Sequence, residues 1–171
     1  MIAKIKSSKT AKRMMTLATA SLALIGSSLV MAQPASATTF SGRLMNTANG
    51  LCMDGSGSAG PGAAVIQWEC NGGTNQQWYS STDSRGRQTI VNAQNGLCLD
   101  RHDDTRMGAK LILWHCNNTW NQVFSYNGWY APITNAPSGQ VIDVPGGTGV
   151  WGTQLTMWEP NRGSNQSWGL I

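Results

Sequence analysis

Asn49-Gly50-Leu51-Cys52-Met53-Asp54, followed by Trp68, Cys70 and Asn75-Gln76-Gln77-Trp78, recurs twice further along the chain. The second copy reads Asn95-Gly96-Leu97-Cys98-Leu99-Asp100, then Trp114, Cys116 and Asn121-Gln122-Val123-Phe124. The third is worn but alignable: Ser138-Gly139-Gln140-Val141-Ile142-Asp143, then Trp158, Pro160 and Asn165-Gln166-Ser167-Trp168. Asp54 and Asp100 lie 46 residues apart, and Asp100 and Asp143 lie 43 apart. A fixed period of this size marks a repeat architecture. Polar and aromatic residues recur alongside the apolar core positions, which points to function.

Inside each repeat the signals are those of short strands. Asn49-Gly50 and Asn95-Gly96 are hairpin-turn dipeptides between apolar segments. The runs 64–68, 110–114 and 154–158 are β-rich and bounded by Gly-containing turns. After the N-terminal segment no window sustains a helical period. Three units of roughly four strands are too few for a propeller, which usually needs at least four blades. Closed around a pseudo-threefold axis, they make an all-β chain, a β-trefoil.

The N-terminus reads differently. Lys4, Lys6, Lys9, Lys12 and Arg13 precede an apolar stretch from Met14 to about Met31, and Ala35-Ser36-Ala37 follows. A basic region, an apolar region and a small-residue cleavage site predict a secretory signal peptide over residues 1–37. The Thr16, Thr19, Ser21, Gly26, Ser27 and Ser28 interruptions argue against a membrane anchor. A short leader, 38–42, then precedes one repeat domain, 43–171.

The formal charge of +4 changes with that cleavage. Five of the twelve Lys/Arg leave and all eight Asp/Glu stay, so seven face eight and the net charge is −1. A nucleic-acid or anionic-membrane partner loses its electrostatic support. An extracellular chain is expected, without membrane insertion.

Cys52 and Cys70 are 18 residues apart, as are Cys98 and Cys116, and the third repeat has lost both equivalents together, to Val141 and Pro160. Four cysteines allow three connectivities; the joint loss favours 52–70 and 98–116, and a secreted chain would oxidise them. The spacing lacks the close Cys pairs of structural zinc sites, so no metal is expected.

On these residues the chain resembles ricin-B-type lectin domains, the family marked by three Gln-x-Trp repeats. They stand here as Gln76-Gln77-Trp78, Gln122-Val123-Phe124 and Gln166-Ser167-Trp168, with Phe124 a conservative departure. The resemblance covers about residues 43–171. It implies that Trp78, Phe124 and Trp168 are core residues. It also implies sugar pockets made by Asp54, Trp68 and Asn75; by Asp100, Trp114 and Asn121; and by Asp143, Trp158 and Asn165. Gln76, Gln122 and Gln166 correspond to the residue that steadies the Asp. The Asp-to-Trp spacing is 14, 14 and 15 residues, and Trp-to-Asn is 7 in every repeat.

The chemistry suits such a role. A pyranose offers an apolar face to an aromatic ring and a rim of hydroxyls to a carboxylate, which accepts short charge-assisted hydrogen bonds. The Asn amide supplies both donor and acceptor. Many family members place a Gln two residues before the platform aromatic; here those positions are Ile66, Ile112 and Thr156. Gln67 is one residue off, which in a strand turns it to the opposite face. The third repeat also carries Pro145 and an extra aromatic, Trp151, so it is the one expected to behave differently.

Other constellations are weaker. Asp100-Arg101-His102-Asp103-Asp104 reads as a solvated turn, and Trp120 and Trp129 could extend binding surfaces but are more often packing residues. No nucleophile elbow accompanies His102 or His115. A glycosidase needs two carboxylates flanking one bond, whereas the repeated Asp residues belong on separate lobes. The sequence therefore leads to a secreted, non-catalytic carbohydrate-binding protein without a cofactor. The resemblance to ricin-B-type lectin domains implies galactose-type sugars or plant or microbial polysaccharides such as xylan as its ligands, in up to three shallow sites. The competing reading is a protein-binding β-trefoil, such as a protease inhibitor or toxin-complex component.

Overall fold

Among the described residues thirteen short strands follow one another in the order set by the repeats. They are β1 (Ser41–Gly42), β2 (Leu44–Asn46), β3 (Cys52–Asp54), β4 (Ile66–Trp68), β5 (Trp78–Thr82), β6 (Gln88–Asn92) and β7 (Cys98–Arg101). After them come β8 (Leu111–Trp114), β9 (Phe124–Tyr126), β10 (Ile133–Asn135), β11 (Val141–Asp143), β12 (Thr156–Trp158) and β13 (Trp168–Leu170). The computed structural model describes residues 39–57, 60–102 and 105–171. The signal peptide expected at 1–37 lies outside the described residues.

The strands pair antiparallel in three sheets, ordered β13-β2-β3-β4, β1-β5-β6-β7-β8 and β12-β11-β10-β9. Each sheet takes its first long-range partner from the preceding repeat. The circuit closes where the C-terminal strand meets the N-terminal one, pairing Trp168 with Asn46 and Leu170 with Leu44. β1 pairs with β5, and Phe40 joins the core, so the described part of the expected leader is tied into the fold.

The threefold axis is visible in the backbone. Val65 N donates to Leu111 O at 3.0 Å, Leu111 N to Leu155 O at 3.0 Å, and Leu155 N to Val65 O at 2.9 Å. One residue from each repeat thus satisfies the next, and all three side chains are fully buried. Single bridges Ala64–Ile112, Lys110–Thr156 and Gln154–Ile66 carry the same circuit outward. The fold is a β-trefoil.

Trp78, Phe124 and Trp168 fill the core at 0%, 1% and 0% exposure. Each buried indole N–H finds a carbonyl, Trp78 that of Met53 at 3.0 Å and Trp168 that of Ile142 at 3.3 Å. Such pairing is the condition for burying a tryptophan without penalty. Phenylalanine at 124 carries no donor and needs none.

The Asn-Gly turns are longer than a two-residue hairpin. Residues 47–51 join β2 to β3, with Asn49 Oδ1 accepting from Leu51 N at 2.9 Å and Gly50 at φ +74° donating to Asn46 O. Asn95 and Gly96 repeat this at φ +70°. A side-chain turn on Asn followed by a left-handed Gly is why this dipeptide recurs. Both disulfides form as the repeat indicates, Cys52–Cys70 and Cys98–Cys116, with Cα atoms 5.0 and 5.1 Å apart.

Candidate functional site

Asp54 and Asp143 end the second strand of their repeats and Asp100 stands one residue before its end, opposite Ile66, Thr156 and Ile112 of the third strand. The three carboxyl groups are almost fully buried, so each requires partners. The conserved spacing supplies one. Gln76 Nε2 donates to Asp54 Oδ2 at 2.8 Å, Gln122 Nε2 to Asp100 Oδ2 at 2.7 Å, and Gln166 Nε2 to Asp143 Oδ2 at 2.9 Å.

The same amide nitrogen also donates to a backbone carbonyl seven residues upstream in chain order. The carbonyls are Glu69 O (2.8 Å), His115 O (2.9 Å) and Glu159 O (2.9 Å). Its oxygen accepts from the N–H of Asn71, Asn117 or Asn161. One buried Gln therefore clasps the Asp to the loop that follows the aromatic. This is why the Gln recurs at a fixed distance.

The Asn partners differ among the sites. Asn121 Nδ2 donates to Asp100 Oδ1 at 2.8 Å, and Asn165 Nδ2 to Asp143 Oδ2 at 2.8 Å. Asp54 Oδ1 instead accepts from Ser56 N at 2.7 Å, while Asn75 contributes its backbone oxygen to Gly55 N and Asn92 Nδ2. The Thr119 hydroxyl bonds both Asn117 and Asn121, steadying the second site. Gly73 and Gly163 occupy that place in the other repeats, where an added Cβ would collide with Asn75 Oδ1 or Asn165 Oδ1. Burial raises the Asp143 carboxyl above its usual range, and the Gln166 and Asn165 amides partly offset this.

The aromatics recurring after each Asp are solvent-facing. Trp68 is 37% exposed, and Trp114 and Trp158 are each 42% exposed, in contrast to the sealed core trio. Each Asp, Trp and Asn set lines one open depression, of about 400, 350 and 480 Å³ in the three repeats. All nine residues singled out from the sequence are thus brought together in threes. Ile66, Ile112 and Thr156 line these depressions, and Gln67 points away from its depression and is fully buried.

Two features were not anticipated. Asn71, Asn117 and Asn161, each three residues beyond the Trp, also line the depressions. Each uses Oδ1 to cap a backbone N–H two residues on, at 2.8, 3.0 and 2.7 Å. Their fixed offset from Trp was a usable signal. The platforms also cross repeat boundaries. Trp68 lies against Gly152, Trp114 against Gly62 and Trp158 against Gly108, all at 3.6–3.7 Å from where a Cβ would be. These glycines have φ of +81°, +91° and +80°, so a side chain there would be strained.

Two sequence expectations need correction. Asp100 and Arg101 do not lie in a solvated turn; they end β7, and Arg101 is fully buried with its guanidinium 5.8 Å from the Trp120 ring centre. The strand register carries both residues into the interior, and the aromatic face offsets part of the cost of burying the cation. Asp103 and Asp104 lie outside the described residues. Trp120 and Trp129 are not core residues either, being 40% and 65% exposed; Trp120 sets its ring over Arg101 and also lines the second depression. Among the described residues no group of three His, Cys, Asp or Glu could hold a metal ion.

The molecule is thus a β-trefoil with three repeat-related depressions, each pairing a clasped carboxylate with an exposed indole. Residues 40–168 match the ricin-type beta-trefoil lectin domain family, and the chain belongs to that family. Among solved structures, the designed threefold-symmetric protein ThreeFoil is 26% identical with a TM-score of 0.72, the match covering 77% of this chain and 97% of that one. An exo-beta-1,3-galactanase from Clostridium thermocellum is 32% identical with a TM-score of 0.70, over 77% of this chain and 30% of the galactanase. The Macrolepiota procera ricin B-like lectin, solved with lactose, is 22% identical (TM-score 0.64, covering 81% and 97%) and supports the fold alone. No curated protein matches the chain.

Proposed function

We propose that this chain is a secreted, non-catalytic lectin that holds galactose-type sugars or polysaccharides such as xylan in up to three shallow sites. The observation that carries the reading is the threefold recurrence of a buried, amide-clasped Asp beside an exposed Trp. A core has no use for an exposed indole at a fixed distance from a buried carboxylate. A sugar does: the ring takes its C–H face, and the remaining carboxylate lone pairs take its hydroxyls.

Asp54, Asp100 and Asp143 would accept hydroxyl protons. Trp68, Trp114 and Trp158 would stack, and Asn75, Asn121 and Asn165 would serve a neighbouring hydroxyl. Gln76, Gln122 and Gln166 position the carboxylates. The signal peptide expected at 1–37 and two disulfides support an extracellular setting. Likeness to part of a galactanase supports a polysaccharide ligand.

Single open depressions bind weakly, so retention would come from several sites on one polymer, raising apparent affinity by roughly 10²–10⁴ where geometry allows. Affinity electrophoresis through xylan, galactan or galactoside-bearing gels tests this. Trp68→Ala, Trp114→Ala and Trp158→Ala should each reduce retardation, in steps, with thermal melting little changed. Wild-type protein that migrates unretarded through every gel would remove the reading and turn attention to a protein target.

A further inference from the structure

Trp151 belongs to the third repeat in sequence but to the first site in space. Its ring centre lies 5.6 Å from that of Trp68, with 46° between the planes, and half of its surface is exposed. The positions equivalent to Trp151, one residue before the glycine under each platform, are Pro61 and Met107. Among the described residues only the first site receives a second ring from the neighbouring repeat; Trp120, beside the second site, comes from that site's own repeat.

The loop that carries Trp151 is fastened to the first repeat by a buried side chain. Gln67 Nε2 donates to Thr148 O at 2.7 Å and to Val150 O at 2.9 Å. Asn49 Nδ2 donates to Thr148 O and to Gln67 Oε1, both at 2.9 Å. The backbone adds Gly152 N to Gln67 O at 2.8 Å and Gln67 N to Thr153 O at 2.9 Å. The positions equivalent to Gln67 are Leu113 and Met157, ordinary buried apolar residues. A fully buried amide in that place is costly unless satisfied, and here it is satisfied by the Trp151 loop.

We infer that Trp68 and Trp151 form a two-ring platform that takes two consecutive pyranose units of one glycan chain, with Gln67 as the residue that positions the second ring. This rests on the carbohydrate reading above and deepens it for one site. Planes turned by 46° do not fit a flat ribbon such as a cellulose chain. They fit a chain whose successive sugars rotate about its axis, as in xylan or β-1,3-galactan.

The test uses protein in which Asp100→Ala and Asp143→Ala silence the other two sites. Titration calorimetry compares xylose with xylobiose and galactose with β-1,3-galactobiose, with cellobiose as the flat comparator. For one of the two rotating series the disaccharide should bind about fivefold or more tightly than its monosaccharide, the size expected of one added aromatic contact. Cellobiose should show no such gain over glucose. Trp151→Ala and Trp151→Leu should abolish the gain, Trp151→Tyr should keep it, and Gln67→Met should shrink it. An unchanged gain in Trp151→Ala, or Leu serving as well as Tyr, would overturn the inference. Wild type that binds while the single-site protein does not would overturn the inference alone. Wild type that binds no sugar would overturn the carbohydrate reading itself.

Discussion

The first and third repeats reach the same site by different covalent means. In the first, Cys52 and Cys70 tie the Asp-bearing strand to the loop after the platform Trp. The third has Val141, almost fully buried, and Pro160 at those positions. Yet Gln166 reaches Asp143, Glu159 O and Asn161 N at 2.9, 2.9 and 2.8 Å, as Gln76 reaches Asp54, Glu69 O and Asn71 N at 2.8, 2.8 and 3.0 Å. The amide clasp sets the geometry; the disulfide tethers a loop that is already placed. Covalent bonding and site geometry are separable here, and that separation can be attacked from several sides.

The largest effects fall where the repeats are alike. Trp78→Ala and Trp168→Ala should each cost about 4 kcal/mol in denaturant unfolding, since both leave large cavities and an unpaired carbonyl. A much smaller cost at Trp78 would mean that the neighbouring disulfide carries part of the core's role. Next comes the tether itself. Removing Cys52 and Cys70 together, as Ala, should cost about 3 kcal/mol while site-1 sugar affinity survives. Loss of affinity in protein that still folds would show that the disulfide, not Gln76, holds the site.

The converse change sharpens the point. Val141→Cys with Pro160→Cys closes a loop like those in the other repeats and should stabilise the oxidised chain by about 1–2 kcal/mol, the loop gain less the lost Val burial. Differential scanning calorimetry with and without reductant reads it. The smallest effect is a pH dependence at the third site. Burial raises Asp143, so its proton is held more tightly folded than unfolded. Its contribution to stability is therefore present at low pH and lost as pH rises through the raised pKa. Sugar binding runs the other way. Protein carrying only the third site, made with Asp54→Ala and Asp100→Ala, should lose retention reversibly as the pH falls through that raised pKa. Retention that stays flat as the pH falls through the carboxylate range would mean that the Asp143 carboxylate does not hold the sugar.

Much of this was legible because the repeat reports on itself. The Asp, Trp, Asn and Gln recur at fixed offsets, and the cysteines vanish in a pair, so strands, disulfides and the three depressions follow. What was hidden lies between repeats. Trp151 looks like a peculiarity of the third repeat until Gln67, more than eighty residues earlier, is seen binding its loop. Arg101 was hidden for another reason. A charged run looks solvated, but β7 extends one residue past Asp100 and carries the guanidinium inside beside Trp120.

The central claim is that exposed Trp68, Trp114 and Trp158 meet sugar while buried Trp78 and Trp168 hold the fold. The chain has eight tryptophans, and their indole N–H signals can be followed one by one by NMR. On titration with xylobiose or galactobiose, the account predicts that the signals of Trp68, Trp114 and Trp158 shift in a saturable way. Those of Trp78 and Trp168, bonded to Met53 O and Ile142 O, should stay in place. Shifts confined to the core pair, or to Trp129 alone, would contradict it.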